Sequence, residues 1–236
     1  MNPLPLFLLT AVLSFCSIVY ELLLAQSMSA TLGDSFLRYN VTIGLYLASL
    51  GLGAMLCSRR RKADLIVLLA DVEIALTVLG ALGPLLILLW DAAAFKAGTC
   101  ALLRGQEWIR RALVLGFDHG IIILIGLLSG FELPLLMRLG KESASDLSSE
   151  VLAVDYFGTL LGALAFPLLL LPGVGVLSAA ALTALLNALC ALYLLTFLRT
   201  DARRLCLCCA SSALCIAMLV CREPLQRAAL SWYLQR

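Results

Sequence analysis

Seven apolar stretches, near 4–28, 41–58, 65–90, 112–137, 150–171, 174–198 and 205–221, run through this chain without the polar–apolar alternation of a strand. A hydrocarbon core of about 30 Å takes roughly 20 apolar residues of helix to cross. It offers no water to unpaired backbone groups, so spanning segments must be helices or a closed barrel, and long unalternating runs exclude the barrel. The expectation is an all-α, polytopic transmembrane helix bundle of about seven helices, or six if the short last stretch is re-entrant or interfacial.

Composition agrees, with 62% hydrophobic and 14% charged residues and a mean hydropathy of +1.03, where a soluble domain is about half apolar. Residues 1–221 read as a transmembrane helical domain and 222–236 as a short polar tail. The first stretch begins Met1-Asn2-Pro3-Leu4-Pro5, lacks a basic leader and is too long for a signal core, so it reads as a retained helix. Leu13-Ser14-Phe15-Cys16 puts Phe15 where a lipoprotein box needs a small residue, and no lipidation is expected.

Basic residues flanking membrane helices favour the cytoplasmic side. Nine of them (Arg59, Arg60, Arg61, Lys62, Arg138, Lys141, Arg199, Arg203 and Arg204) flank one side. Five (Arg38, Lys96, Arg104, Arg110 and Arg111) flank the other, which predicts a cytoplasmic N-terminus. A tail outside, with Arg222, Arg227 and Arg236, narrows this to nine against eight. Between the third and fourth stretches, Asp91 to Arg111 mixes Phe95, Trp108 and Ile109 with charges and reads as an interfacial amphipathic helix.

Small residues mark close helix packing. Gly116 and Gly120, Gly126 and Gly130, and Gly158 and Gly162 each stand four apart, predicting that the fourth and fifth helices form the packed centre. Gly44, Ala48, Gly51 and Gly53 add a small face to the second. Pro134 and Pro167 fall inside helices, each removing a hydrogen bond and permitting a kink.

Six acids, Glu21, Asp71, Glu73, Asp118, Glu132 and Asp155, lie inside the apolar stretches, whereas every Lys and Arg is placed at or beyond a stretch end. Ionisable groups at membrane depth are costly and mark candidate sites. Under the proposed topology Asp71, Glu73, Glu132 and Asp155 fall in one layer, and Glu21, Asp118 and His119 in another. Four acids at one level suit a polycation, or a proton held by one and stabilised by the others. The alternative is a set of hydrogen-bonded acids that pin helices together or pair with Arg59 to Lys62 and Arg138. Asp71 and Glu73 stand about 200° apart around a helix, so both cannot face one cavity, and one should turn to a basic partner. A network of Tyr20, Glu21 and Asp118 requires the first and fourth helices to touch.

No catalytic residue, metal site or cofactor is expected. His119, the single histidine, offers at most one ligand. Cys206, Cys208, Cys209, Cys215 and Cys221 read as small apolar filler, as do Cys16, Cys57 and Cys190, and Cys100 has no obvious partner. Basic residues divided among membrane flanks leave no nucleic-acid footprint.

Tyr20-Glu21, Gly130-Phe131-Glu132-Leu133-Pro134 and Asp155-Tyr156-Phe157-Gly158 carry a resemblance covering about residues 5–200. The chain resembles the N-terminal membrane part of membrane-bound polyamine aminopropyltransferases, the spermidine synthase-like proteins of bacteria. In full-length members a soluble Rossmann-like domain follows, binding decarboxylated S-adenosylmethionine and the amine acceptor. After Cys221 no Gly-rich turn and no acidic pair for a diamine is present, so the expectation is that this chain does not catalyse the reaction alone. Three readings follow: a membrane module anchoring or assisting a separate soluble aminopropyltransferase subunit, a bundle that binds or transports polyamines or other cations, and a truncated structural relic. The lipid bilayer is the partner common to all three.

Overall fold

The computed structural model describes residues 3–32, 35–58, 65–98, 107–141, 146–197 and 202–224, which are helical almost throughout with no strand among them. The helices are α1 (Pro3–Leu32), α2 (Ser35–Ser58), α3 (Leu65–Gly98), α4 (Glu107–Lys141), α5 (Ser148–Ala165), α6 (Leu171–Phe197) and α7 (Ala202–Val220). Leu and Ala, strong helix formers, dominate these segments. Seven described helical segments are long and apolar enough to cross a membrane, including α7, whose 19 residues lie along α6 and α3. The chain is an all-α bundle compatible with a multi-pass membrane protein.

The fifth crossing continues beyond α5 through a π-helical turn, Phe166–Leu170, in which the Leu171 N–H donates to the Phe166 carbonyl. Pro167 has no N–H to give, so the ladder locally widens to this longer spacing. The reversal into the sixth crossing falls on Gly175, whose φ of 78° and ψ of 172° suit a residue without Cβ. At the head of α5 the Ser148 hydroxyl and backbone N–H both donate to Asp146, holding that exposed carboxyl below the usual aspartate range.

Packing departs from the expected centre. Of the most apolar stretch of each helix, 56% is buried in α1 and 61% in α6, against 17% in the fifth crossing. The centre therefore lies around α1, α3 and α6. The small face of α5 lies on α1, where a Cβ on Gly158 would stand 2.4 Å from the Ala11 carbonyl oxygen. Its other face, with Tyr156, Phe157, Leu160 and Leu164, is exposed. Gly126 and Gly130 instead join α4 to α2, where Gly130 meets Gly53 backbone to backbone. Gly116 and Gly120, expected to pack, have open space where a Cβ would stand, as do Gly44 and Gly51. Four-residue spacing puts both members on one face, but helix rotation turned these faces outward.

Among the described residues between Asp91 and Arg111 no separate interfacial helix occurs. The third helix runs on to Gly98 and the fourth starts at Glu107, so at 1.5 Å per residue each is roughly 50 Å long and overshoots the hydrocarbon core. Trp90 caps the α3–α4 contact, its ring 4.6 Å from that of Phe117. Residues 99–106, with Cys100, and the basic run 59–62 fall outside the described residues. On α7, Cys208 and Cys215 are buried as packing residues, while Cys206 and Cys209, and Cys221 just past its end, are exposed.

Candidate functional site

The acids separate as helix rotation dictates. Glu73 points inward from α3, is fully buried and accepts a 2.8 Å hydrogen bond through Oε2 from Nδ2 of Asn187 on α6. Asp71, two residues earlier, faces the other way and pairs with Arg204 of α7, with Nε to Oδ1 at 2.7 Å and Nη2 to Oδ2 at 3.1 Å. One of the two acids thus has a basic partner, as expected, and Asp71 leaves the candidate cation layer. The partner comes from α7, brought beside α3 by packing. With the two side chains 28% and 45% exposed, this pair contributes about 1 kcal/mol at most. Asp71→Asn should raise the rate at which a maleimide reaches the buried Cys208 by no more than about tenfold, read at that cysteine by mass spectrometry. A hundredfold rise would mean that the pair holds α7 in place by itself.

Glu132 of α4 is 5% exposed and lies within electrostatic reach of Glu73 and of the half-buried Asp155 on α5. Glu73 and Glu132 thus lie within electrostatic reach of each other inside the bundle, with Asn187 hydrogen-bonded to Glu73 and Asp155 in reach of Glu132. Among the described residues, Glu73 Oε1 and Asn187 Oδ1 have no hydrogen-bond partner. The cluster is rich in acceptors and short of donors. It suits a guest that brings several N–H groups, or a proton shared between carboxyls.

A second polar node joins α1, α2 and α4. Tyr46 Oη lies 3.0 Å from Ser129 Oγ, 3.1 Å from the Ser17 carbonyl oxygen and 3.2 Å from Ser17 Oγ. Glu132 and the buried Glu21 both act on it electrostatically. Helices α1 and α4 do touch, but the anticipated Tyr20–Glu21–Asp118 network does not form. Tyr20 turns its ring onto Gly80 of α3, and neither its hydroxyl nor the Asp118 carboxyl has a hydrogen-bond partner among the described residues. Asp118 instead lies within electrostatic reach of Arg38. Arg38 Nε is buried, because α2 begins at Ser35 and carries this base in its first turn, at the end of the apolar stretch as expected.

His119 Nδ1 lies 2.5 Å from the Leu115 carbonyl oxygen, and no group of three His, Cys, Asp or Glu suited to a metal occurs among the described residues. Asn187, Tyr46, Ser17 and Ser129 escaped the sequence reading. The signal for Asn187 was available, since a carboxamide inside the run Ala184-Leu185-Leu186-Asn187-Ala188-Leu189 needs a partner on another helix.

The chain is similar to a polyamine aminopropyltransferase of Leptospira interrogans, 31% identical over 191 residues, covering 80% of this chain and 34% of that protein. Polyamine aminopropyltransferase 2 of Ralstonia nicotianae is 32% identical over 199 residues, 83% of this chain and 36% of that protein. Polyamine aminopropyltransferase of Mycobacterium tuberculosis is 34% identical over 179 residues, 73% of this chain and 31% of that protein. No family model and no solved structure matches. The chain spans about a third of the length of the curated relatives it matches, and across most of its own length it is homologous to proteins named polyamine aminopropyltransferase.

Proposed function

We propose that this bundle is the membrane module of a spermidine synthase-like system, lying in the bacterial inner membrane with a cytoplasmic N-terminus and holding a soluble aminopropyltransferase unit at the membrane. The observation that carries this reading is the extent of the similarity, 191 residues with the Leptospira relative, which is far more than one helix and takes in most of the bundle. The test is to recover the affinity-tagged protein from gently solubilised bacterial membranes and to assay the eluate for aminopropyl transfer to a diamine. Transfer activity enriched with the tagged bundle is the expected result; activity that stays wholly in the flow-through sinks the anchoring role.

A second reading, binding of polyamines or other cations within the bundle, is favoured by one specific feature. Glu73 and Asn187 present buried acceptors without matching donors, and Glu132 and Asp155 are further acids within electrostatic reach of one another. An ammonium group brings three N–H donors and a charge of the right sign. Transport would require a path through the bundle as well as this site.

A further inference from the structure

Three hydroxyls meet where α1, α2 and α4 touch, with Tyr46 Oη 3.0 Å from Ser129 Oγ and 3.2 Å from Ser17 Oγ, and the Ser17 carbonyl oxygen 3.1 Å away. Elsewhere in the bundle Thr10, Ser14, Ser49 and Thr77 each donate to the carbonyl four residues earlier in their own helix, the ordinary partner of a buried helical hydroxyl. Ser17 and Ser129 are instead turned onto Tyr46. The phenol has one hydrogen and three oxygens around it, and each hydroxyl both donates and accepts. A contact that only pins helices needs one fixed acceptor, whereas this node can reverse the direction of its bonds by rotating hydroxyls.

A carboxyl flanks the node on either side. Glu21 comes one turn after Ser17 on α1 and Glu132 one turn after Ser129 on α4, so each shares a helix face with its serine, and both are 5% exposed. Ser17 meets Tyr46 and Gln26 meets Tyr39, so α1 and α2 run antiparallel. Tyr46 meets Gly126 and Gly53 meets Gly130, so α2 and α4 run parallel. Glu21 and Glu132 therefore lie on opposite sides of the node along the bundle. Thr42, one turn before Tyr46 on α2, is fully buried, and its hydroxyl has no partner among the described residues. Counting back equally from the contact of Tyr46 with Gly126 brings Arg38 and Asp118 to one level, beyond Thr42. On α4 the stripe Asp118, Ile122, Ile125, Ser129 and Glu132 is buried throughout and extends about 21 Å, most of a hydrocarbon core of about 30 Å.

We propose that this seam is a proton path, in which Glu21, the hydroxyls of Ser17, Tyr46 and Ser129, and Glu132 hand a proton along the α1–α2–α4 contact. A proton leaves the Glu21 carboxyl for the node as the node gives one to the Glu132 carboxylate, or the reverse. At each hydroxyl one O–H bond forms while another breaks, so the net event is the movement of one proton, and rotation of the hydroxyls resets the chain. Thr42 and Asp118 continue the path beyond Glu21, with Arg38 at the level of Asp118. At the other end Glu73 of α3 and Asp155 of α5 lie within electrostatic reach of Glu132. Gly126 brings the α4 backbone against Tyr46 and Ser49 beside the node. Protons passed between fixed oxygens need no opening there, whereas an amine does. The path requires neither a soluble partner nor a polyamine and so goes beyond both readings above.

The experiment follows internal pH with trapped pyranine in liposomes carrying the full chain, after a pH step with the voltage clamped by potassium and valinomycin. The wild-type protein should carry protons well above the rate of protein-free liposomes. Tyr46→Phe, which keeps the ring and removes the hydroxyl, should lower that rate by about tenfold or more, as should Glu132→Gln. Tyr156→Phe, on the exposed face of α5, should leave it unchanged. Unfolding midpoints are read for every variant, and Ser17→Ala, which breaks one limb of the node, decides the matter if Tyr46→Phe fails to fold. A node that only pins helices would lower the midpoint of Tyr46→Phe and leave the proton rate alone. Equal rates in the wild type and the folded variant would therefore overturn the path, as would wild-type flux no greater than that of protein-free liposomes with or without an opposing spermidine gradient. Proton flux that appears only against such a gradient and is lost in Tyr46→Phe keeps the path and ties it to the cation reading. Proton flux without any binding of spermidine keeps the path and removes the polyamine.

Discussion

Gly130→Ala should destabilise the bundle by about 3 kcal/mol or more, while Gly116→Ala on the same helix should be neutral or slightly stabilising. A Cβ on Gly130 would stand 2.2 Å from the Leu50 carbonyl oxygen and 3.0 Å from Gly53 Cα, and one on Gly53 would stand 2.2 Å from the Leu127 carbonyl oxygen. The Cα hydrogens of both glycines therefore point at carbonyl oxygens of the facing helix, weak bonds worth ~0.5–1 kcal/mol each. Backbone cannot yield as a flexible side chain can, so even one methyl must push α2 away from α4. That displacement would also strain the Tyr46 node, whose members Tyr46 and Ser129 lie on these two helices. Gly116 meets nothing within 4 Å, so its methyl adds helix propensity without a clash. Unfolding midpoints of the two variants in detergent make the comparison. Equal midpoints would mean that the α2–α4 approach is looser than the structure gives.

Asn187→Leu should cost about 2–4 kcal/mol, and adding Glu73→Leu should recover much of that loss. The Asn187 carboxamide is the donor to Glu73 Oε2, and Glu73 Oε1 already lacks one among the described residues. Removing Asn187 alone leaves a fully buried carboxyl without a partner, and the penalty falls on the group left behind. Removing both partners replaces a polar contact by an apolar one, so the double variant should be more stable than the sum of the singles by roughly 2 kcal/mol. Additive losses in the four-member cycle would show that the Glu73–Asn187 contact carries no coupling. The same cycle bears on function, since a site kept for an ammonium guest should lose spermidine binding in every variant that removes Glu73, including the more stable double.

Several parts of this arrangement were visible before any tertiary contact was known. The opposite facing of Asp71 and Glu73 follows from 100° per residue, and Asp71 duly turns to Arg204 while Glu73 turns inward. Helical spacing put Gly126 with Gly130 and Gly158 with Gly162, and both pairs do lie at helix contacts. The same rule misled at Gly116 and Gly120, because it reports that two residues share a face and says nothing of what that face meets. Arg38 stands at the end of α2 where a flanking base was expected, but residues 35–40 extend that helix by about two turns beyond the apolar stretch, and the Arg38 Nε is buried there.

The helical class, and the presence of about seven segments long and apolar enough to cross a membrane, follow from local chemistry, since a bilayer requires each segment to satisfy its own backbone and be apolar over its length. A segment meets those conditions without reference to its neighbours. Which acids meet was decided only by tertiary structure. Between apolar helices in lipid there is little hydrophobic preference for one rotation over another, so close backbone approach and interhelical hydrogen bonds choose it. Gly53 on Gly130, Tyr46 between Ser17 and Ser129, and Asn187 on Glu73 are contacts between residues far apart in the chain, and the packing they belong to buries Glu73 and Glu132 while leaving Asp71 to Arg204.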